Sequence, residues 1–211
     1  MNMRPLLLAV FFVSAINTRA ALNLSPFPSE FDGEGIKYTQ LAFKDDKRQA
    51  LYVPPQNWTW HGGSSQLRLT PPPTFLRADA VIDISPLLAP QPLDEKAVAA
   101  LREQFLNTLP SGAEAVKISS EETSPVLLSG NIPTFEFTAT YKVFGEAFVR
   151  STLFANLPET QLRFKLTSLK KDFDSLHRQF RASLISWQWT EPSAKATVVQ
   201  TEQMNAVTSR Q

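Results

Sequence analysis

One stretch in the second half of the chain alternates strictly between apolar and polar side chains. In residues 135–143 the odd positions carry phenylalanine, alanine, tyrosine or valine, and the even positions carry glutamate, threonine or lysine. A repeat of two is that of an extended strand, whose consecutive side chains point to opposite faces of a sheet. The alternation therefore predicts a β-strand with one buried face and one face in water.

Two more extended runs follow this strand, and turn residues separate the three. Residues 147–155 carry apolar side chains at both odd and even positions, which is typical of a strand that lies deeper in a sheet. Residues 162–166 alternate again between apolar and polar side chains. Because the turns at 144–146 and 156–159 are short, we predict that the three strands form an antiparallel meander.

Two other segments carry apolar residues at the spacing of an amphipathic helix. In residues 94–109 Asp94 can cap the first turn, and Pro110 ends the pattern. In residues 172–187 Asp172 takes the same place before a continuous apolar stripe. We therefore predict two helices, each with one face packed against the sheet.

The remaining strand signals are shorter and lie before residue 119. Residues 25–35 are rich in turn formers and predict an irregular segment. Residues 36–43 and 49–53 are predicted to pair as a hairpin. Further short strands are predicted at 66–69, 78–84 and 115–118.

Residues 1–20 have the pattern of a secretory signal peptide. Arg4 precedes a compact apolar run at 6–13, and Thr18 and Ala20 are small residues at the −3 and −1 positions of a cleavage site. The apolar run is shorter than the roughly 20 residues that cross a bilayer. We therefore predict a secreted or periplasmic protein that is cleaved near Ala20.

The rest of the chain divides into one domain and a tail. Residues 21–189 are predicted to form a single α+β domain, in which two or more amphipathic helices pack an antiparallel sheet. Residues 190–211 are polar and have no hydrophobic repeat, which predicts a disordered C-terminal tail. The sequence predicts no transmembrane segment in the mature chain.

The order of these elements resembles that of the PsbP-like α/β sandwich. That group contains the thylakoid-lumen PsbP accessory proteins and the DcrB-like proteins of bacterial envelopes. The resemblance is carried by an early strand pair followed by PPQNW at 54–58, a helix before the meander, and a closing helix that ends in FRASLISW at 180–187. It implies a sandwich fold and a non-enzymatic accessory or binding role. The chain lacks the cysteine that anchors a lipoprotein member of the group.

Composition excludes several classes of function. The chain has no cysteine, which removes disulfides, thiolate chemistry and cysteine-ligated metals. Its two histidines cannot build a multi-histidine zinc site, and the glycine-rich phosphate-binding motifs are missing. A formal net charge of +1 argues against a broad basic surface that would bind nucleic acid. The sequence thus predicts no cofactor, no metal and no nucleic-acid partner.

One polar cluster, formed by Asp172, Asp174 and His177, brings carboxylates and an imidazole together on a short segment. Such groups can act as metal ligands or as a general base. The favoured interpretation is structural: the acids complement the start of a helix, and the histidine is partly buried beside the apolar stripe. A hydrolase would need a serine and an acid beside His61 or His177, and the sequence selects neither histidine.

Four residues between positions 52 and 61 form an aromatic cluster and are the candidate binding residues: Tyr52, Trp58, Trp60 and His61. Aromatic side chains on a loop can stack on a sugar ring or contact a partner protein. Trp58 and Trp60 are alternate residues that share a face, so the favoured interpretation is that they cover one end of the core.

The export signal, the lack of catalytic motifs and the resemblance together predict an exported, non-catalytic accessory protein that binds an envelope or secreted protein. An exported small-ligand or glycan-binding protein is the alternative, and it would use the same aromatic residues. An unrecognised hydrolase that depends on His61 or His177 ranks third.

Overall fold

The computed structural model describes residues 22–33, 35–44, 49–85, 93–126, 128, 132–157 and 160–190. The strands and helices are, in chain order, β1 (Phe27–Gly33), β2 (Ile36–Lys44), β3 (Gln49–Tyr52), β4 (Thr59–Gly63), β5 (Gln66–Thr70), β6 (Asp79–Ile84), α1 (Glu95–Asn107), β7 (Glu114–Thr123), β8 (Thr134–Val143), β9 (Glu146–Asn156), β10 (Gln161–Leu169), α2 (Lys170–Leu184) and β11 (Gln188–Thr190). The predicted α+β class is confirmed. The predicted signal peptide and residues 191–211 of the predicted tail lie outside the described residues.

The larger sheet holds seven antiparallel strands in the order β4-β5-β6-β10-β9-β8-β7. The predicted meander of β8, β9 and β10 is confirmed and includes the central strand of this sheet. The alternating residues Leu162, Phe164 and Leu166 of β10 are fully buried. This sheet is the platform on which both helices pack.

Strand β8 differs from its prediction on one face. Its odd residues pack against Leu101 and Phe105 of α1, as the alternation predicts. Its even residues are predicted to face water, yet Glu136 and Thr138 are only 2% and 7% exposed. Helix α2 covers this face and places Arg181 against Glu136. The prediction of one wet face is therefore wrong, because a helix covers each side of the sheet at β8.

Helix α1 begins at the predicted cap. Asp94 Oδ1 accepts a hydrogen bond of 2.7 Å from the Ala97 amide, which satisfies one of the free amides of the first turn. Its buried residues are Leu101 and Phe105, and the Phe105 ring stacks on Phe137 with 5.6 Å between centroids. Capping and the apolar stripe, both visible in the sequence, thus place this helix on β8.

Helix α2 begins at Lys170, before its predicted cap. The residue at the N-cap is Leu169, the last residue of β10, and no side chain caps the helix. Asp172 lies inside the first turn, so its predicted role as the cap is wrong, although its charge still complements the helix dipole. The predicted apolar stripe is confirmed by the buried residues Phe173, Leu176, Phe180 and Leu184.

The smaller sheet holds four antiparallel strands in the order β1-β2-β3-β11. The predicted hairpin of β2 and β3 is confirmed. The irregular segment predicted at 25–35 is wrong, because Phe27–Gly33 pairs with β2 along its whole length. Strand β1 lies at the edge of the sheet, with β2 as its neighbour. Pro28 is tolerated there, because no strand on the other side of β1 needs the N–H group that proline lacks.

One hydrophobic cluster joins α2 to both sheets. Trp187, which follows α2 and is fully buried, stacks on Phe43 of β2 with 5.5 Å between ring centroids. The same indole meets Phe164 of β10 edge-on, also at 5.5 Å. Trp187 therefore fixes the end of α2 between the small sheet and the large one.

Candidate functional site

An open groove of about 650 Å³ lies between β2 and α2. Three parts of the chain form it: β2, the segment that follows β3 together with β4, and the C-terminal part of α2. We refer to it as the β2–α2 groove. Its lining residues are Ile36, Lys37, Tyr38, Thr39, Val53, Pro54, Pro55, Gln56, Asn57, Trp58, Trp60, Gln179, Ala182, Ser183 and Ser186.

The hairpin of β1 and β2 extends beyond the rest of the small sheet at this groove. The register pairs β1 with residues 36–42 of β2, whereas β3 pairs only with residues 41–44. Tyr52, opposite Leu41, is the last residue of β3, and the chain then leaves the sheet. Residues 36–39 therefore border the groove at a point where β3 has already ended.

The backbone of β2 directs hydrogen-bonding groups toward this groove. In a strand, consecutive residues direct their N–H and C=O groups to opposite neighbours. Leu41 lies opposite Pro28 of β1, a residue with no N–H to exchange, so the backbone groups of Leu41 face β3. By the same alternation, Lys37 and Thr39 direct their N–H and C=O groups to the β3 side, which is the side of the groove.

Hydrogen bonds hold the segment after β3 against the end of α2. The Val53 amide donates to Ser186 Oγ at 2.8 Å, and Trp58 Nε1 donates to Gln179 Oε1 at 3.3 Å. Between them the chain turns at Asn57, whose φ of 64° is one that asparagine tolerates well. This side of the groove is thus fixed in place without a ligand.

Two of the four candidate binding residues belong to the core. Tyr52 is fully buried, its hydroxyl lies 2.9 Å from Ser183 Oγ, and burial raises the pKa of the phenol. Trp58 is 5% exposed, and its ring stacks on Phe180 of α2 with 6.2 Å between centroids. Trp58 therefore covers one end of the core, as the favoured interpretation has it, while its edge also lines the groove.

The other two candidates lie on β4 (Thr59–Gly63), so the interpretation of this segment as a loop is wrong for these two residues. Trp60 pairs with Leu69 of β5, and His61 pairs with Arg68. Trp60 is half-buried and lines the groove, whereas His61 is exposed and, as the next residue of a strand, points to the opposite face. The structure thus brings Trp58 and Trp60 to the groove and leaves Tyr52 and His61 outside its lining.

A separate polar network lies beneath α2. His177 Nε2 is 2.6 Å from Glu136 Oε1, and Arg181 Nε donates to Glu136 Oε2 at 2.7 Å. Arg181 also donates to Glu122 at 3.0 Å. Burial disfavours the charge of Glu122, but hydrogen bonds from Ser120 and Arg181 outweigh it and lower the pKa of this carboxyl. The network neutralises a buried carboxylate and so supports a structural role.

Asp172, Asp174 and His177 do not converge on one site, which agrees with the favoured structural interpretation of these residues. His177 turns instead to Glu136 of β8, and its ring stacks on Phe173 at 4.7 Å between centroids. Among the described residues, no three histidine, aspartate or glutamate side chains are grouped as metal ligands would be. No observation favours the hydrolase hypothesis, which we leave as a prediction.

The projecting hairpin has one signal in the sequence that the predictions leave unused. Only two residues separate Gly33 from Ile36, and the second of them, Gly35, has a φ of 81°. A two-residue connection with glycine at a positive φ is typical of a tight β-hairpin. This spacing could have indicated β1, and with it the strand edge that borders the groove.

In the part of the chain that the structure describes, no helix has the length and apolar character needed to cross a membrane.

No protein-family model matches the sequence, and no curated protein matches it. Among solved structures, the chain is similar to PA94 of Pseudomonas aeruginosa, a protein of unknown function, with a TM-score of 0.46 and 13% identity, over 79% of this chain and 99% of that one. It is also similar to LpqN of Mycobacterium tuberculosis, involved in cell envelope biogenesis, with a TM-score of 0.44 and 15% identity, over 79% of this chain and 92% of that one. Neither likeness assigns a family or a function, and neither names a PsbP-like protein, so that resemblance stays a prediction.

Proposed function

We propose that this protein is an exported interaction protein that binds an extended segment of a partner protein as an added strand along β2. The observation that carries the proposal is the backbone of Lys37 and Thr39, whose N–H and C=O groups face the groove beyond the end of β3. An extended peptide can take up such groups as a neighbouring strand does, with side-chain pockets adding specificity. This is the binding mode of several peptide-recognition domains.

The groove suits a short extended segment. A strand opposite residues 36–39 would be about four residues long, or roughly 13 Å at 3.3 Å per residue. Val53, Pro54 and Trp60 offer apolar surface to alternate side chains of such a strand. Gln56 and Gln179 offer amide groups for polar contacts. Both kinds of contact lie within one groove, so a segment with mixed apolar and polar side chains fits it.

Two parts of the proposal come from the sequence alone. Export rests on the signal-peptide pattern of residues 1–20, and the non-catalytic role rests on the lack of a nucleophile or phosphate-binding motif. The partner would then be another envelope or secreted protein.

Replacing Thr39 by proline tests the added strand. Thr39→Pro removes the N–H that faces the groove and leaves the β1 pairing, which uses the backbone groups of residues 38 and 40. Thr39→Ala keeps the N–H and is the matched control. The probe is a phage library of random peptides, selected on the wild-type protein, with the enriched peptides then measured by isothermal titration calorimetry.

We expect Thr39→Pro to weaken binding of the enriched peptides by about tenfold, the worth of one backbone hydrogen bond, and Thr39→Ala to leave it nearly unchanged. Hydrogen exchange of the Lys37 and Thr39 amides should slow when a peptide binds. The proposal is wrong if no peptide is enriched, or if enriched peptides bind the proline variant as tightly as the wild type. Circular dichroism confirms that both variants are folded.

A glycan-binding function is the second candidate, and Trp60 is the observation that favours it. Its half-buried ring lies in the groove beside the amides of Gln56 and Gln179, and stacking together with hydrogen bonding is how proteins bind sugar rings. Envelope glycans would then change the tryptophan fluorescence of the wild type and of Thr39→Pro alike, and not that of Trp60→Ala. If Thr39→Pro loses the fluorescence change that glycans cause in the wild type, the backbone of β2 is needed for that change. This result would favour the peptide-binding function instead.

A further inference from the structure

One end of the large sheet carries a side chain that folding does not explain. Phe144, in the turn between β8 and β9, is 100% exposed, and its backbone φ is 49°. A positive φ is unfavourable for a bulky residue, and asparagine, aspartate or glycine normally takes such a position in a tight hairpin turn. Phe144 therefore costs folding stability and is covered by nothing in the described part of the chain.

A second unfavourable choice lies beside this turn. Helix α2 starts with Lys170 and Lys171, both exposed, although the N-terminus of a helix carries partial positive charge and favours acids. The two lysines border a shallow depression together with Glu146 and Ala147 of β9. Two cations that oppose the helix dipole thus lie next to a phenylalanine that strains its turn.

A third segment adds another exposed apolar side chain at this end. Leu76, between β5 and β6, is 69% exposed. Its neighbour Arg77 forms an ion pair with Glu146, which joins this segment to the hairpin of β8 and β9. Phe144 and Leu76 therefore protrude from two segments that are held together.

The acids near this end are largely balanced. Arg77 neutralises Glu146, and Arg68 lies 3.8 Å from Asp79. Glu114 of β7 lies opposite the exposed Lys142 of β8 in the register, and Asp172 and Asp174 follow the two lysines within the first five residues of α2. Lys170 and Lys171 line the depression beside the hairpin, whereas Asp172 and Asp174 do not, so positive charge lies nearest to the protruding apolar side chains.

We propose that this end of the molecule docks on an anionic lipid surface. Phe144 and Leu76 enter the interfacial region of the membrane, and Lys170 and Lys171 lie against the headgroups. Fluid lipid can surround an aromatic ring that is exposed on all sides, and aromatic residues are enriched at membrane interfaces. Lysines near an anionic membrane each strengthen binding. Sequence choices that oppose folding are expected at functional sites.

Lipid docking is independent of the groove. The groove uses the C-terminal part of α2, whereas the lipid-binding end surrounds its N-terminus. A helix of 15 residues is roughly 22 Å long at 1.5 Å per residue, so both surfaces can be occupied at once. A partner segment could thus be bound at the membrane surface.

Vesicle co-sedimentation tests the proposal with the chain from Ala21 onward, which contains every described element. Vesicles of phosphatidylcholine alone are compared with vesicles that also contain phosphatidylglycerol. We expect the wild type to bind only the anionic vesicles, and added salt to weaken that binding. Phe144→Asn should raise the melting temperature, because asparagine suits the turn, and lower vesicle binding by about tenfold or more.

Two further variants complete the test. Phe144→Trp keeps an interfacial aromatic residue and should bind as the wild type does. Lys170→Gln and Lys171→Gln should each weaken binding by about fivefold. The proposal is overturned if the folded wild type binds no anionic vesicle, or if Phe144→Asn binds as well as the wild type. It is also overturned if Phe144→Asn only abolishes association between copies of this chain in sedimentation velocity.

Discussion

The ion pair of Glu136 and Arg181 gives the sharpest test of how α2 is held on the sheet. The Glu136 side chain is 3% exposed, and that of Arg181 is 25% exposed. We expect Arg181→Leu to lower the free energy of unfolding by about 3 kcal/mol, because it leaves the buried Glu136 carboxylate without the guanidinium that pairs with it. His177 Nε2 lies 2.6 Å from the other oxygen of that carboxylate. This contact remains in Arg181→Leu and reduces the loss of stability.

The reciprocal change should cost less. Arg181 is more exposed than Glu136, and in Glu136→Leu it keeps its hydrogen bond of 3.0 Å to Glu122. We therefore expect Glu136→Leu to lower the free energy of unfolding by about 1 kcal/mol. The double variant should also lose only about 1 kcal/mol, since apolar side chains of similar volume often replace a buried ion pair at little cost. The coupling energy between the two positions is then about 3 kcal/mol.

Urea unfolding at pH 7 measures this coupling. The four tryptophans report the transition by fluorescence, and far-UV circular dichroism must give the same midpoint for a two-state treatment to hold. The slope of the free energy against urea should not change among the variants. If the losses of the single variants add up in the double variant, leaving a coupling below about 1 kcal/mol, the pair does not hold α2 and the reasoning fails.

Two smaller predictions concern single contacts. Gly62→Ala should lower the free energy of unfolding by about 1–3 kcal/mol, because a Cβ there would lie 2.9 Å from the Leu24 carbonyl oxygen and against Pro26. Gly63→Ala is the control, because a Cβ at that position meets nothing within 4 Å. Equal melting temperatures of the two variants would contradict the close packing at Gly62. Glu122→Gln should destabilise the protein at pH 7 by less than about 1 kcal/mol, because the side chain is 42% exposed. Since folding lowers the pKa of Glu122, its stabilisation is present above the unfolded pKa of roughly 4.3 and is lost as the pH falls through the folded value, so a difference that persists in strong acid would sink this account.

Local patterns were sufficient for the elements whose signals span a few residues. The meander, the hairpin of β2 and β3, the Asp94 cap and the apolar stripe of α2 are confirmed, because strand period, capping and helix period depend on near neighbours. Strand β1 was not predicted, because Pro28 and the turn formers around it are compatible with a strand only at a sheet edge. Whether a segment lies at an edge is decided by the strands around it.

The candidate site was only partly accessible from the sequence. The aromatic cluster led to Trp58 and Trp60, and the structure brings both to the groove, but large aromatic side chains are common in cores as well as at binding surfaces. The backbone groups of Lys37 and Thr39 leave no trace in side-chain chemistry, because every residue except proline has them. Their availability depends on where β3 ends relative to β2.

Near neighbours along the chain are enough to establish that residues 135–143 form a strand with chemically different faces, and that two amphipathic helices flank the meander. What covers each face of that strand depends on tertiary packing. Glu136 belongs to a polar face that is typical of contact with water, yet its partners His177 and Arg181 arrive from 41 and 45 residues further along the chain. A buried carboxylate is tolerated only when a charge partner reaches it, and that partner is set by the packing of α2, which no local pattern around β8 records.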